Sequence, residues 1–405
     1  MEKIIFINRY FYPDQSATSQ ILSDLVFNIV QDIDADIHVI TSRNTYQNNR
    51  RLDSDEIVNN IKIHRVWSSR FGRKNLLGRL IDYLSFYITT FYMLMRITSK
   101  DDVVVAKTDP PVISYVALLV CKFKRAHLIN WLQDLFPEVA GKLGLIKENG
   151  ILFKIIKALK DKTLVNARAN VVIGVKMRER LKGMGVLEEK IRVISNWNIN
   201  KNINYIKKES NLLIGEWGLE GKFVIGYSGN YGRAHEYDVI HDLINEYRLK
   251  DEFVFLFIGG GKYYDDLKYY VENENIKNVL FKPYQPLQVL DMSLSVPDLH
   301  LVSLRPGLEG LIVPSKFFGL ASIGANLLFI GDCGGELGSL IKKYKCGCCY
   351  DGGDGVSLAA QIMDIKNNPG ELIQYGENLK SLYLEKYQPV NAYDAWVEVL
   401  QENKV

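Results

Sequence analysis

The stretch from 299 to 332 constrains the fold more than any other part of the sequence. An apolar strand at 299–304 leads into a loop rich in Gly and Pro. A helix follows, with Pro314 suited to its first turn and Gly324 to its end, and then a second apolar strand at 327–330. This pattern predicts a βαβ unit of a parallel sheet, in which the helix begins at the carboxyl edge of the sheet.

The start of this helix is a candidate binding site for a nucleotide diphosphate. Free backbone N–H groups and the helix dipole favour an anion at such an N-terminus. Glu309, in the preceding loop, could accept hydrogen bonds from ribose hydroxyls, and Lys316 could face a phosphate. Because many glycine-containing βαβ loops bind nothing, the spacing alone leaves an ordinary connecting loop equally open.

Strands and helices alternate along the chain in two sets, separated by a polar stretch rich in Asn and Lys at 196–209. Such alternation is typical of parallel sheets with helices on both faces. It predicts an α/β protein with two Rossmann-like doubly wound parallel-sheet domains, 1–200 and 201–385, that face each other across a cleft. An amphipathic segment at 392–402 predicts a final helix, within 386–405, that crosses back to the first domain.

The predicted strands are 3–8, 36–41, 61–66, 103–107, 127–131, 170–174 and 191–194, then 223–227, 253–258, 279–282, 299–304 and 327–330. The predicted helices are 19–33, 77–98, 112–122 and 150–166, then 238–249, 262–273 and 287–294.

Length and composition agree with two ordinary domains and exclude other classes. A chain of 405 residues that is 47% hydrophobic can bury two separate cores. Its net charge of +3 argues against general binding to nucleic acid. Five cysteines without paired spacing indicate a reducing compartment. Cys346, Cys348 and Cys349 lie at an apparent strand, and no complementary cluster exists for a metal.

The first strand and the most apolar helix predict a cytoplasmic protein. Polar residues interrupt the N-terminal segment too early for a signal peptide. Arg79, Asp82 and Arg96 interrupt 76–97, so a membrane-spanning helix is not expected. Basic residues cluster near apolar ones just before and within this helix: Arg65, Arg70, Arg73, Lys74 and Arg79 near Trp67, Phe71, Leu76 and Leu77. They suit peripheral contact with an anionic membrane, or an ordinary solvated loop before a core helix.

Several motifs together resemble the retaining GT-B glycosyltransferases of family 4. GLEGLIVPSK at 307–316 is similar to the G-L-E-G-x-x-V-P-S-K run of the WbuB-like branch. That branch is fucosamine-transferase-like and makes O-antigen and colanic-acid-type polysaccharides. FVIGYSGNYGRAH at 223–235 resembles its G-N-x-G-R-A loop, FIGGGK at 257–262 its F-I-G-x-G element, and DLFPE at 134–138 its D-L-x-P-E segment. The resemblance implies the GT-B fold over nearly the whole chain.

The resemblance also implies which residues serve the reaction. The catalytic candidates are Asp134, Glu138, Arg233, Glu309 and Lys316. The donor-binding candidates are Ser16, Ala17, Gly229, Asn230, Arg233, Gly259, Tyr284, Gln285, Glu309, Gly310, Leu311, Pro314, Ser315 and Lys316. The resemblance implies neither a metal nor another cofactor. Asp32, Asp34 and Asp36 mimic an Asp-x-Asp metal motif, but they fall between a helix and a strand.

Structural alternatives to these assignments stay open. The loop that holds Arg233 could be a plain strand-to-helix turn, and Tyr284 and Gln285 could belong to an ordinary turn. Asp134 could cap a helix, and Glu138 could be a surface charge.

The chain departs from the family pattern at one carboxylate. The usual second Glu lies five residues before the glycine that is Gly324 here. That position is Gly319, preceded by Phe317 and Phe318. Either Glu309 alone holds the ribose, or it faces the sugar or the pyrophosphate.

The resemblance implies a retaining transfer of a sugar from a UDP-linked donor to an undecaprenyl-linked or oligosaccharide acceptor at the inner face of the plasma membrane. The sugar suggested by the branch is an N-acetylated deoxysugar. The departing phosphate would take the acceptor proton, while cations and helix N-termini stabilise the diphosphate. His235, in a motif-bearing loop, could contact the donor phosphate. The alternatives are a GT-B-fold sugar-nucleotide 2-epimerase and a non-catalytic nucleotide-binding or membrane-binding scaffold.

Overall fold

The computed structural model describes residues 2–46, 51–72, 76–200 and 203–402. The chain divides into two compact units. Unit 1 consists of Met1–Ile199, Gly310–Ile312 and Val390–Val405, and unit 2 consists of Asn200–Glu309 and Val313–Pro389. Each unit contains one sheet of mainly parallel strands, which confirms the predicted α/β class.

The sheet of unit 1 has eight strands in the order β3-β4-β2-β1-β5-β6-β7-β8. Among the strands of the described residues, β3 alone runs antiparallel to its neighbour, at the edge of the sheet. The strands are β1 (Lys3–Ile7), β2 (Asp36–Ser42), β3 (Asp55–Val58), β4 (Ile61–Val66), β5 (Val103–Lys107), β6 (His127–Leu132), β7 (Ala169–Val172) and β8 (Ile191–Val193). The helices are α1 (Ala17–Ile29), α2 (Leu76–Ile97), α3 (Ile113–Lys124), α4 (Glu138–Lys142), α5 (Ile151–Asn166) and α6 (Val175–Gly183).

Alternate residues of these strands pack into two cores, one on each face of the sheet. Ile4 and Phe6 of β1 share a core with α1, whereas Ile5 and Ile7 share one with α2 and α3. Successive side chains of a strand point to opposite faces, so a strand covered on both sides is apolar along most of its length. All five residues of β5 are buried accordingly.

The final helix, α15 (Pro389–Gln401), completes the first of these cores from Val390 onward. Trp396 is fully buried, and its ring centroid lies 4.6 Å from that of Trp131 in β6. The helix begins three residues before the predicted 392–402 segment, because Pro389 suits a first helical turn.

The sheet of unit 2 has six strands in the order β11-β10-β9-β12-β13-β14, all parallel. They are β9 (Phe223–Asn230), β10 (Phe253–Gly260), β11 (Val279–Lys282), β12 (Leu299–Ser303), β13 (Leu327–Ile330) and β14 (Cys348–Tyr350). The helices are α7 (Leu212–Glu216), α8 (Asp238–Tyr247), α9 (Lys262–Asn273), α10 (Leu290–Leu294), α11 (Lys316–Ile323), α12 (Glu336–Tyr344), α13 (Gly355–Asn367) and α14 (Pro369–Leu382). The predicted βαβ unit at 299–332 is therefore β12, α11 and β13.

Cys333 and Cys349 form a disulfide. The expectation that the cysteines are unpaired is therefore wrong for these two residues. Cys333 follows β13 and Cys349 lies in β14, and these neighbouring parallel strands bring the two thiols together. A separation of 16 residues does not reveal that proximity. In the described part of the chain, no helix combines the length and the apolar character needed to cross a membrane.

Candidate functional site

Lys316 is the first residue of α11, and its side chain packs against two aromatic residues of unit 2. Its Nζ atom lies 3.4 Å from the centroid of the Tyr227 ring and 3.4 Å from Nε2 of His235. Burial lowers the pKa of Lys316 well below its ordinary value, and no carboxylate among the described residues raises it again. An ammonium group withdrawn from water without a counterion would be stabilised by an arriving anion.

Glycines at the ends of β9 and β10 make room for this lysine. At Gly229, where φ is 117°, an added Cβ would lie 3.0 Å from Cε of Lys316. At Gly259, where φ is 131°, it would lie 2.3 Å from the carbonyl oxygen of Gly229. Only glycine adopts such backbone conformations freely. The structure therefore places Gly229 against Lys316, with Gly259 and the exposed Asn230 at the same ends of the strands.

Three further donor candidates of unit 2 lie near the surface. Arg233 is exposed, and its carbonyl oxygen lies 3.5 Å from a guanidinium nitrogen of Arg305. Tyr284 follows β11 and is 62% exposed. The side-chain amide of Gln285 donates to the carbonyl oxygen of Pro283 at 2.8 Å. These positions suit contact with a ligand as well as an ordinary turn, so the assignments stay predictions.

The Glu309 carboxylate lies at the N-terminus of α12. Its Oε2 atom accepts a hydrogen bond from the backbone N–H of Glu336 at 3.0 Å. Gly335 permits this contact, because an added Cβ there would lie 2.3 Å from the carboxyl carbon of Glu309. The helix dipole stabilises a carboxylate in this place. Sequence reasoning left Glu309 open to the ribose, the sugar or the pyrophosphate. It missed the helix contact, since the two partners are 27 residues apart.

The start of α11 shows where the missing family carboxylate would lie. The carbonyl oxygens of Pro314 and Ser315 accept hydrogen bonds from the N–H groups of Phe317 and Phe318, each at 3.2 Å. Both phenylalanines are buried. At Gly319, an added Cβ would meet nothing within 4 Å. A Cβ atom would therefore fit at Gly319, but this chain has no side chain there.

Gly310 and Leu311 belong to unit 1 and not to the unit of Lys316. The carbonyl oxygen of Leu311 accepts the N–H of Leu135 at 2.9 Å. Gly310 has a φ of 68°, and an added Cβ would lie 2.8 Å from the carbonyl oxygen of Lys176. Within unit 1, these two predicted donor residues pack against and hydrogen-bond to the backbone of neighbouring segments.

Asp134, just after β6, is the candidate for proton chemistry in unit 1. Its Oδ1 atom is buried and has no hydrogen-bond partner among the described residues. Burial raises the pKa of Asp134 to about 6, a hydrogen bond with Thr108 opposes the rise, and the charge of Asp109 adds to it. A carboxyl group that titrates near neutral pH can orient a hydroxyl or exchange a proton with it.

The other predicted residues of unit 1 are held by their neighbours. Glu138 begins α4 and forms an ion pair with Lys160. Ser16 donates its backbone N–H to Oδ1 of Asp14 at 2.7 Å, whereas its hydroxyl is buried and unpartnered within the described ranges. Ala17 is exposed and begins α1.

Lys107 is a buried cationic residue that the sequence analysis missed. It ends β5, donates from Nζ to the carbonyl oxygen of Thr18 at 2.9 Å, and lies 4.1 Å from the centroid of the Trp131 ring. Burial lowers the pKa of Lys107 well below its ordinary value, and the charge of Asp109 opposes that shift. The apolar residues before this lysine are typical of any buried strand, so they do not distinguish it. The signal in the sequence is the Thr-Asp-Pro-Pro turn that follows, which indicates that Lys107 lies at the end of its strand.

The predicted membrane-facing residues are only partly described. Arg73, Lys74 and the side chain of Leu76 lie outside the described residues. Arg65 is buried and forms a 2.6 Å ion pair with Glu56, so its prediction as a membrane-facing residue is wrong. The others are exposed: Arg70, Arg79, Trp67, Phe71 and Leu77.

Among the described residues, no group of three or more His, Cys, Asp or Glu side chains is placed to hold a metal ion. Asp36 pairs with Lys62 at 3.0 Å.

No family model matches the chain. The chain is 27% identical over 307 residues to the probable glycosyltransferase WbjE of Pseudomonas aeruginosa, which covers 73% of this chain and 74% of that protein. It is 24% identical over 274 residues to the putative colanic acid biosynthesis glycosyl transferase WcaI of Escherichia coli K12, covering 66% and 67% of the two chains.

Solved structures resemble the chain along its whole length. Sucrose-phosphate synthase of Thermosynechococcus elongatus has a TM-score of 0.75 at 12% identity and covers 99% of each chain. Anabaena HepE in complex with UDP and glucose has a TM-score of 0.71 at 14% identity, covering 99% of this chain and 100% of HepE. At such identities the similarity concerns the fold. The fold of this protein is GT-B, which confirms the predicted fold class.

Proposed function

We propose that this protein is a retaining glycosyltransferase of the WbuB-like branch, which transfers a sugar from a UDP-linked donor to an undecaprenyl-linked glycan during the assembly of a surface polysaccharide. Both curated relatives are named as glycosyltransferases, and one name refers to colanic acid. HepE, of the same fold, was solved with UDP and glucose. An N-acetylated deoxysugar as the transferred group rests on the motif resemblance.

The observation that carries the proposal is the desolvated Lys316 amine beside the glycine-lined ends of β9 and β10. A diphosphate that reaches these glycines can approach the backbone closely and restore a full charge on the lysine. We assign the leaving diphosphate to Lys316, with the exposed Arg233 as a second cation. The departing phosphate takes the proton of the acceptor hydroxyl, so the protein acts by positioning and electrostatic stabilisation and needs no metal for this step.

Asp134 and Glu309 support this chemistry in different ways. The buried, unpartnered Oδ1 of Asp134 suits it to orient an acceptor hydroxyl, the role we assign to it. Glu309 holds the start of α12 through the Glu336 N–H, and we assign it a positioning role for the loop before Lys316. Glu138, paired with Lys160, supports the segment that follows Asp134.

The donor assignment is tested by calorimetric titration of UDP and GDP into the wild type and Lys316→Ala. We expect UDP to bind the wild type and the variant to lose about 1–3 kcal/mol of binding free energy, the range for a hydrogen bond to a charged group. Lys268→Ala is the matched control, because Lys268 is an exposed lysine of the same unit that pairs with Glu272 and lies outside the donor motifs. Equal losses in both variants, or none in Lys316→Ala, would contradict the assignment.

Product analysis separates the enzymatic alternatives. UDP-N-acetylglucosamine incubated without acceptor should return no isomer, since isomer formation would identify a 2-epimerase. Binding of neither UDP nor GDP would favour a non-catalytic scaffold. With a lipid-linked acceptor, we expect a glycosylated product that retains the anomeric configuration of the donor.

We further propose that unit 1 contacts an anionic lipid bilayer through the outer faces of α2, α3 and α5, at the cytoplasmic side. Large apolar side chains are exposed on these helices: Leu77, Leu80, Ile81, Leu84, Ile88 and Tyr92 on α2, Leu119 and Phe123 on α3, and Ile151, Leu152 and Ile155 on α5. On α2 they recur every three or four residues, so they share one face of the helix.

The charges of the same helices favour an anionic partner. Arg79, Arg96, Lys122, Lys154 and Lys162 are exposed. The acidic residues of the three helices do not offset them, because Asp82 is buried and Asp161 is paired with Lys157 and Lys160. Exposed apolar side chains beside exposed cations are typical of proteins that lie on anionic membranes.

A further inference from the structure

The two ring nitrogens of His235 have different partners. Nδ1 lies 2.8 Å from the carbonyl oxygen of Ser303. A carbonyl oxygen only accepts hydrogen bonds, so Nδ1 carries the hydrogen. In the neutral ring Nε2 then has a free lone pair, and this atom lies 3.4 Å from Nζ of Lys316. The imidazole is therefore an acceptor directed at the lysine amine.

The surroundings of His235 keep the ring neutral. Burial lowers its pKa below the ordinary value, although the carbonyl groups of Ser303 and Asn230 favour the protonated form. The aromatic rings of Tyr227 and Tyr231 flank the imidazole at centroid distances of 5.6 Å and 6.0 Å. A neutral ring accepts a hydrogen bond from Lys316, whereas a protonated ring would repel it.

A second contact fixes the lysine from another side. Nζ of Lys316 lies 3.4 Å from the centroid of the Tyr227 ring, whose negative face attracts a cation. The ring itself is immobilised, because Tyr227 is 1% exposed and its hydroxyl donates to the carbonyl oxygen of Asn230 at 3.0 Å. A long lysine side chain has many rotamers, and ordering them on binding lowers affinity.

We propose that His235 is a positioning residue that holds the Lys316 amine in place for the diphosphate before the donor arrives. This inference rests on the proposed function, in which Lys316 binds the leaving diphosphate. It assigns to His235 an action through Lys316 and no contact with the reacting atoms.

The test measures binding of UDP, and of uridine, which lacks the phosphates, to the wild type and four variants: His235→Leu, His235→Gln, Lys316→Ala and the double variant of Lys316→Ala with His235→Leu. We expect His235→Leu to weaken UDP binding about tenfold, which corresponds to about 1.4 kcal/mol, and to leave uridine binding unchanged. His235→Gln keeps an acceptor near the position of Nε2 and should restore most of the affinity for UDP. In a Lys316→Ala background, His235→Leu should cause no further loss.

Each outcome decides between the inference and the function on which it rests. A wild type that binds neither UDP nor GDP overturns the proposed function. If His235→Leu binds UDP as tightly as the wild type does, only the positioning role is overturned. Equal weakening of UDP and uridine, or the same loss in the Lys316→Ala background, would instead show a merely structural histidine. Unchanged melting temperatures of the variants confirm that each remains folded.

Discussion

Lys107 and Lys316 each keep an amine away from water, one in unit 1 and one in unit 2. Burial of an ionisable group is unfavourable, so such groups are often found at functional sites. Sequence reasoning identified Lys316 because a motif surrounds it, but it missed Lys107, which ends an apolar strand. The contacts of Lys316 with Tyr227 and His235 could not be predicted either, because they join positions 81 or more residues apart.

At the scale of single residues, Asp134→Asn should stabilise the protein at neutral pH. The pKa of Asp134 is raised to about 6 from 3.8. Between these values the folded chain holds a proton that the unfolded chain has released. Wild-type stability therefore falls as the pH rises from about 4 to about 6, by at most about 3 kcal/mol. The amide has no such loss, so the gain should be present at pH 7.5 and shrink towards pH 4.5.

Urea unfolding of the wild type and Asp134→Asn at both pH values measures this difference. Asp53→Asn, at an exposed position of the same unit, is the control. If Asp134 orients the acceptor hydroxyl, the stabilised variant should also lose turnover while its affinity for UDP stays unchanged. A gain in stability that is equal at both pH values would contradict the titration of Asp134.

At the scale of elements, the sequence predicted the long apolar strands and missed the short polar ones. Strands such as β5 and β13 are buried throughout, and their composition is sufficient evidence for a covered strand. β3 has four residues, three of them exposed, and it forms only because the edge of β4 offers hydrogen bonds. The predicted helix 287–294 begins as a 3-10 turn at Leu287–Val289, which apolar spacing does not distinguish from an α-helix.

Trp396→Ala tests the contribution of α15 to unit 1. The side chain is fully buried against Trp131, and truncation of a buried Trp creates a large cavity. We expect a loss of about 3–5 kcal/mol in the free energy of unfolding, measured by urea titration with circular dichroism. Val390→Ala is the control, because Val390 belongs to the same helix and is 50% exposed. A loss below about 1 kcal/mol in Trp396→Ala would show that α15 is dispensable for this core.

At the scale of the whole molecule, the sequence predicted two domains but not how the chain is shared between them. The polar stretch near residue 200 marked the first boundary, and the observed units change at Ile199 and Asn200. Gly310–Ile312 belongs to unit 1 although the residues on both sides belong to unit 2. Composition does not reveal that so short a segment belongs to the other unit. Its place in unit 1 depends on long-range contacts such as that between Leu135 and Leu311.

Membrane binding is also a property of the whole molecule, and vesicle sedimentation tests it. The wild type should bind vesicles that contain phosphatidylglycerol more tightly than vesicles of phosphatidylcholine alone, and less tightly as salt is added. Leu84→Ser with Ile88→Ser should weaken binding about tenfold or more, because each removes an apolar side chain from the lipid-facing surface. Leu249→Ser with Leu287→Ser changes two exposed apolar residues of unit 2 and should have no effect. Equal effects of both pairs would contradict the proposed face.

The late position of α15 has a consequence for synthesis on the ribosome. The first core of unit 1 lacks Trp396 until the chain has been translated through about 190 residues that build mostly unit 2. At typical elongation speeds this takes on the order of 10–40 s. During that interval the apolar surface around Trp131 has no covering helix. We therefore expect the first half of the nascent chain to expose this apolar surface until α15 has been made and can pack against it.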